Sequence, residues 1–163
     1  MTEKVEISSS QYLTFIIRDE DFGVEIAKVR EVIDLSKFTR VPRMPEYLSG
    51  VINLRGNVVP IIDLGQRLGM APIVKTINTC IMIMAINVEG ESAPIHIGVL
   101  SDAVQEVMEL APEQIEEPPK MGVKLNSEYI EGMGRQGEKF IILLDMDRLL
   151  AGESERLGRL GSA

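Results

Sequence analysis

The chain repeats part of itself, and that duplication limits its fold more than any other feature of its 163 residues. Phe22-Gly23-Val24 with Val29-Arg30-Glu31-Val32-Ile33-Asp34-Leu35 returns 75 residues later as Ile97-Gly98-Val99 with Val104-Gln105-Glu106-Val107-Met108-Glu109-Leu110. A second block returns at an offset of 82. Glu46-Tyr47-Leu48-Ser49-Gly50 becomes Glu128-Tyr129-Ile130-Glu131-Gly132, and Ile61-Ile62-Asp63-Leu64 becomes Leu143-Leu144-Asp145-Met146. Two blocks in the same order point to an internal duplication. The copies run approximately over 11–76 and 77–150, with 151–163 a C-terminal tail and 1–9 a frayed start. Together they form one domain in which the copies have room to intertwine.

Within each copy the pattern is that of strands. Leu13 to Ile17 and Phe22 to Ile26 flank the turn-forming Asp19-Glu20-Asp21, and Val51 to Leu54 and Val58 to Ile62 flank Arg55-Gly56-Asn57. Both read as hairpins. Pro60 lacks a backbone donor and implies an edge or a bulge. The second copy offers strands over 80–86, 95–100, 103–108, 129–133 and 140–144, with a Pro- and Glu-rich loop over 111–120. Short helices are expected at Leu64 to Leu68 and Asp145 to Ala151, the latter capped by Asp145. Short, evenly spaced strands without long helical periods favour small barrels over a parallel sheet.

Charge and composition remove several function classes. The net charge of −8 argues against nucleic acid, whose phosphates require clustered Lys and Arg. Residues 1–76 carry ten basic and ten acidic side chains, whereas 77–163 carry seven and fifteen. Glu106, Glu109, Glu113, Glu116 and Glu117 supply much of that excess, as a solvated face or as a surface for a basic partner. The single Cys80 lies in an apolar run and reads as a small buried hydrophobe. The polar start lacks the apolar core of a signal peptide, and no apolar run reaches membrane-spanning length. A cytoplasmic protein without direct membrane insertion is expected.

Sites that mimic chemistry fail on context. Gly132-Met133-Gly134-Arg135-Gln136-Gly137 spells a dinucleotide fingerprint, but a strand follows where a helix is required, so these glycines serve a hairpin turn. Asp19, Asp21 and Gly23 suggest a calcium loop, yet its last ligand position is Arg30. His96, the lone imidazole, reads as an outward-facing strand residue, and one His with one Cys makes no metal cage. No catalytic residue, metal or cofactor is expected, and the chain is read as no enzyme. A ligand-binding or enzymatic double barrel stays as an alternative.

The run from Gly50 to Leu64, Gly-Val-Ile-Asn-Leu-Arg-Gly-Asn-Val-Val-Pro-Ile-Ile-Asp-Leu, resembles the signature of the CheW family. So do its lead-in Arg40 to Tyr47, the stretch Phe22 to Ile33 and the closing Ser127 to Gly132. The resemblance covers about 11–150. It implies two pseudo-symmetric five-stranded SH3-like β-barrels in an all-β chain. It also implies a scaffold that couples the cytoplasmic tip of chemoreceptors to the regulatory domain of the histidine kinase CheA, at membrane-associated receptor arrays. A chemosensory-like pathway controlling surface motility or gene output fits equally. By position, the resemblance implies a receptor-facing groove at Ile26, Val29, Glu31, Gly98, Val104 and Val107, and kinase coupling at Gly50 and Arg55. The pattern alone reads Ile26, Val29, Val104 and Val107 as core. Glu31 and Arg55, of opposite charge, are expected to pair. Gly65 departs from the family, whose members often carry Arg there.

Overall fold

A computed structural model describes residues 10–35, 37–87, 92–117 and 129–151. Alternation and turn chemistry produce eleven strands among these residues. The first half holds β1 (Ser10–Ile17), β2 (Glu20–Glu25), β3 (Val29–Asp34), β4 (Leu48–Leu54), β5 (Asn57–Asp63) and the one-turn helix α1 (Leu64–Arg67). The second half holds β6 (Cys80–Ile86), β7 (Ile95–Ser101), β8 (Ala103–Leu110), β9 (Ile115–Glu116), β10 (Ile130–Gln136), β11 (Lys139–Leu144) and α2 (Met146–Leu149). Pro112–Gln114 forms a 3₁₀ turn and Ile115–Glu116 a short strand, so the segment after Leu110 is not the plain loop expected. The expected frayed start at 1–9, the C-terminal tail after Ala151 and the end of the 111–120 loop lie outside the described residues.

The hairpin turns are tighter than the sequence suggests, the first at Arg18-Asp19 and the second at Arg55-Gly56. Arg18 and Asp19 both take positive φ (49° and 70°), as do Arg55 and Gly56 (50° and 89°). Two-residue turns of this kind match the twist of the flanking strands. Glu20, Asp21 and Asn57 therefore enter strands. Of the glycines near 132–137, only Gly137 occupies a turn, while Gly132 and Gly134 lie inside β10.

The expectation of two closed five-stranded barrels is not met. The strands form two open sheets, one of six in the order β8-β1-β2-β11-β10-β9 and one of five in the order β3-β6-β7-β5-β4. Closure would require ladders between the end strands, and proline interrupts both places. After β3, a segment containing Pro42 and Pro45 runs past β4 and makes a single bridge, Thr39 to Val51, with N···O distances of 2.9 and 2.8 Å. Residues without an N–H cannot extend such a ladder. After β8, Pro112 starts the 3₁₀ turn that swings the chain to β9, which pairs with β10 at only two positions. The gap is crossed by a covalent corner instead of hydrogen bonds.

Each sheet draws strands from both halves. β1 and β2 pair with β8 and β11, and β6 and β7 pair with β3 and β5. The repeat thus exchanges its first hairpin. The register repeats too: Gly23 lies opposite Leu143 in one parallel junction and Gly98 opposite Ile61 in the other. A Cβ on Gly98 would sit 2.5 Å from Ile61 Cδ1 and 2.7 Å from Ile81 Cγ2, and one on Gly23 would sit 3.0 Å from Leu143 Cδ2. Pro60 lies within an interior strand, but β5 meets β7 only from Ile61 onward, so its missing donor faces no partner.

The main core lies between the sheets, joining Leu13, Phe15, Phe22 and Leu144 of one to Ile62, Met82, Met84, Ile97 and Val99 of the other. Smaller cores cover the outer faces, one around Ile52, Ile61, Ile81, Ile83 and Leu100 and one around Tyr12, Leu110, Ile141 and Leu143. β6 is covered on both faces, and all seven of its residues are buried. That is why Cys80 to Ile86 reads as a continuous apolar run.

The helices show the duplication at atomic detail. Asp63 caps α1 by accepting from Gln66 N at 3.3 Å, and Asp145 caps α2 by accepting from Arg148 N at 3.1 Å. Asp63 N donates to Tyr47 O at 2.8 Å and Asp145 N to Tyr129 O at 2.9 Å. Arg67 lies between the two tyrosine rings, 5.7 Å from Tyr47 and 5.8 Å from Tyr129.

Candidate functional site

The residues expected to form one groove divide between the two sheets: Val29 and Glu31 lie on β3 and Gly98 on β7, whereas Val104 and Val107 lie on β8 of the six-stranded sheet. Val29 lies opposite Met84 and Val32 opposite Met82, both in the inter-sheet core, whereas Glu31 and Ile33 lie opposite Ile83 and Ile81 of the outer core. Arg30 is the extra residue of a bulge, and it sets this alternation.

Glu31 and Arg55 come together as expected. The Arg55 guanidinium pairs with the Glu31 carboxylate, and its side chain stays 68% exposed. The positive-φ turn holds Arg55 at the tip of β4–β5, and Asn53 Oδ1 accepts from Gly56 N at 2.9 Å to brace it. Around the pair, Arg30, Asn57, His96, Leu54, Val59 and Ile83 line a cleft of about 280 Å³. His96 is exposed there, matching its expected outward orientation.

Ile26, Val29 and Val104 pack as partly buried residues against the inter-sheet core. Val107 is 48% exposed on β8, an end strand. Gly98 is not a surface residue: it is buried in β7, where a side chain would collide with Ile61 and Ile81. Gly50 is also buried, beside the β4 bulge, where a Cβ would lie 2.4 Å from Thr39 O and 2.8 Å from Phe38 Cδ1. It lets the Thr39 segment dock on β4 beneath the Arg55 hairpin.

Val32 was missed. It is 42% exposed on β3, also an end strand, and the 75-residue offset maps it onto Val107. Applying the offset to the site residues themselves, and not only to the fold, would have found it.

Gly65 leaves space that the Arg18 guanidinium fills. Arg18 Nη2 lies 2.7 Å from where a Gly65 Cβ would stand. It binds Asp63 Oδ1 at 2.8 Å, while Arg18 Nη1 reaches Asp102 Oδ2 at 3.1 Å and Arg18 Nε donates to Ala71 O at 2.9 Å. This network ties the first hairpin to α1 and to the β7–β8 corner.

Among the described residues, no cluster of three or more His, Cys, Asp or Glu is arranged to hold a metal, and no helix is long and apolar enough to cross a membrane. Among the described residues, the strongest electrostatic perturbation lies at the end of the six-stranded sheet. Glu131 is pushed up to about 7, first by burial of its carboxyl and then by its hydrogen bond with Glu25 and the charges of Glu25 and Asp145. Tyr12 is pushed up to about 12 by burial and by the charges of Glu131 and Glu25.

Comparison with known proteins gives a consistent result. Residues 11–154 match the family described as CheW-like domain. The chain is 34% identical to the chemotaxis protein CheW of Klebsiella aerogenes, covering 93% of this chain and 88% of that one. It is 28% identical to the chemotaxis protein CheW of Bacillus subtilis, covering 96% of each. The crystal structure of the scaffolding protein TtCheW from Thermoanaerobacter tengcongensis superposes with a TM-score of 0.75 at 31% identity, over 86% of this chain and 92% of that one.

Proposed function

Since the chain belongs to the CheW family of chemotaxis scaffolds, we propose that it couples the cytoplasmic tip of chemoreceptors to the regulatory domain of CheA within membrane-associated arrays. As a member of that family it is a non-enzymatic adaptor. The receptor-facing surface in this reading is the rim of the inter-sheet seam, with Ile26, Val29 and Val104 in its wall and Val107 exposed beside it. An amphipathic helix would lay its apolar stripe there. Glu31 borders it from the outer face of β3, and Gly98 acts from below by letting β7 pack closely. Gly50 and Arg55 present the kinase-coupling surface.

The observation that carries this reading is the exposed Glu31–Arg55 pair on a braced hairpin tip. A surface pair of this kind contributes about 0–1 kcal/mol to folding. Its effect is to fix the position of a charged surface. Co-sedimentation with receptor-containing membranes, with and without CheA, tests the coupling directly, and retention of neither partner contradicts it. Arg55→Glu is expected to leave thermal unfolding nearly unchanged while abolishing CheA activation. Full activation by this variant removes Arg55 from the assignment.

A further inference from the structure

We propose that Lys28 and Asp147 are positioning residues for the seam: their ion pair pins the Ile26–Lys28 turn and so holds Ile26 and Val29 where a receptor helix would meet them. The consequence for docking rests on the receptor-facing reading above; the pin itself does not.

Backbone pairing alone holds this part of the wall weakly. Val29 is the first residue of β3 and lies opposite Met84, but the Arg30 bulge separates that pair from the regular ladder that resumes at Glu31 and Ile83. A bulge leaves its extra residue unpaired and interrupts the ladder around it. The turn before Val29 closes on the hydrogen bond from Val29 N to Ile26 O, and Glu25 supplies no side-chain cap at its start.

Asp147 reaches this turn from the other copy. Its carboxylate, on α2, accepts from Lys28 Nζ at 2.7 Å, from Asn87 N at 2.9 Å and from Asn87 Nδ2 at 3.3 Å. Asn87 directly follows β6, the strand that carries Met84. One carboxylate therefore joins the turn before Val29 to the end of the strand opposite it. The Lys28 bond has the short length of a charge-assisted pair. Its two side chains are 29% and 28% exposed, so the pair contributes more to position than to overall stability.

The duplication builds such a pin a second time from different residues. Val104 corresponds to Val29, and a register shift in the β1–β8 ladder likewise sets it apart from the pair of Leu13 with Val107. The corner before Val104 is held as well: Asp102 Oδ2 accepts from Arg18 Nη1 at 3.1 Å, and Arg18 binds Asp63, the cap of α1. Lys28 and Asp147 correspond to Ala103 and Gly65, so neither residue of the first pin recurs in the second. Each wall of the seam is thus tied by an ion pair to the helix of the opposite copy. Two unrelated ion pairs at equivalent corners argue that the corners need holding.

The test compares Lys28→Met, Asp147→Asn and the double variant by amide hydrogen exchange at Val29, urea unfolding and co-sedimentation with receptor-containing membranes. Asn keeps an oxygen for Asn87 N but offers Lys28 no charge. Each single change is expected to speed Val29 exchange about two- to fivefold, the worth of an ion pair at this exposure. Urea unfolding is expected to stay cooperative and close to wild type. The double variant is expected to exchange no faster than either single one, because the two residues act as a unit. Unchanged exchange in both single variants, or effects that add in the double variant, overturns the pin. Membrane binding is expected to weaken by a similar factor in all three variants. Loss in Lys28→Met alone would mean that Lys28 touches the receptor itself, and overturns the positioning role. Faster exchange with unaltered membrane binding overturns the link between pin and seam. Faster exchange in variants of a chain that does not bind the membranes at all supports the pin and overturns the docking reading.

Discussion

Replacing Arg18 with Ala removes the cation that three parts of the chain share. Its partner Asp63 has a side chain 2% exposed, against 19% for Arg18, so the carboxylate cannot turn to solvent. Breaking a buried pair from one side costs about 3–5 kcal/mol when nothing else serves the stranded charge. Asp63 keeps two backbone donors, Ile73 N at 2.9 Å and Gln66 N at 3.3 Å. Those bonds reduce the expected loss to about 2–3 kcal/mol, or a fall in Tm of roughly 4–12 °C for a chain of this size. Arg18 sits at positive φ, a strain that Ala shares, so the comparison isolates the guanidinium. Urea unfolding gives the loss, and Asp63→Asn completes a double-mutant cycle because Asn retains the capping oxygen. The double variant is expected to recover at least about 1 kcal/mol relative to the sum of the single changes. Additive single effects, or an Arg18→Ala loss below about 0.5 kcal/mol, would refute the argument that Asp63 depends on Arg18.

Gly98→Val is expected to lower stability by about 3 kcal/mol, because its branched side chain enters space held by Ile61 and Ile81; unchanged urea unfolding with lost receptor binding would place Gly98 at the surface after all. Val32→Asp and Val107→Asp are expected to stay soluble and within about 1 kcal/mol of wild type, since both side chains are already half in water. Both are expected to reduce co-sedimentation with receptor-containing membranes, whereas Val29→Asp, packed on the inter-sheet core, is expected to lose stability as well. Separate production of 1–76 and 77–163 is expected to give two chains without cooperative unfolding, because each supplies the neighbours that the other's strands need; a cooperative transition in either half contradicts this.

Strand positions were legible because alternation and turn residues act locally: Leu13 to Ile17, Cys80 to Ile86 and Phe140 to Leu144 all lie in strands. The Asp145 cap was legible for the same reason. Closure was not. It depends on which edges meet after the chain turns, and there Pro42, Pro45 and Pro112 decide the outcome by withholding donors. The site divided in a similar way. The Glu31–Arg55 attraction was readable from charge and the family pattern. The burial of Gly98 and the exposure of Val32 depend on the β3 bulge at Arg30 and on the parallel β5–β7 junction, neither of which leaves a local mark in the sequence. Gly23 and Gly98 carried a hint, since a glycine repeated inside two strands indicates close approach by a neighbour.

The open sheets and the proposed docking surface have one cause. β6 needs a strand on each side and apolar cover on each face, and exchange of hairpins between the copies meets that need with β3 and β7. The same exchange sends β1 to β8, leaving β3 and β8 as end strands in equivalent positions. Unpaired edges invite non-specific pairing unless charges guard them, and here Arg30, Glu31 and Asp34 flank Val32 while Glu106 and Glu109 flank Val107. Closing either sheet into a barrel would pair away the edge that carries each valine. A chain whose role is to hold two partners gains from leaving those edges open and selective, with apolar contact at the centre and charge on either side to reject the wrong strand.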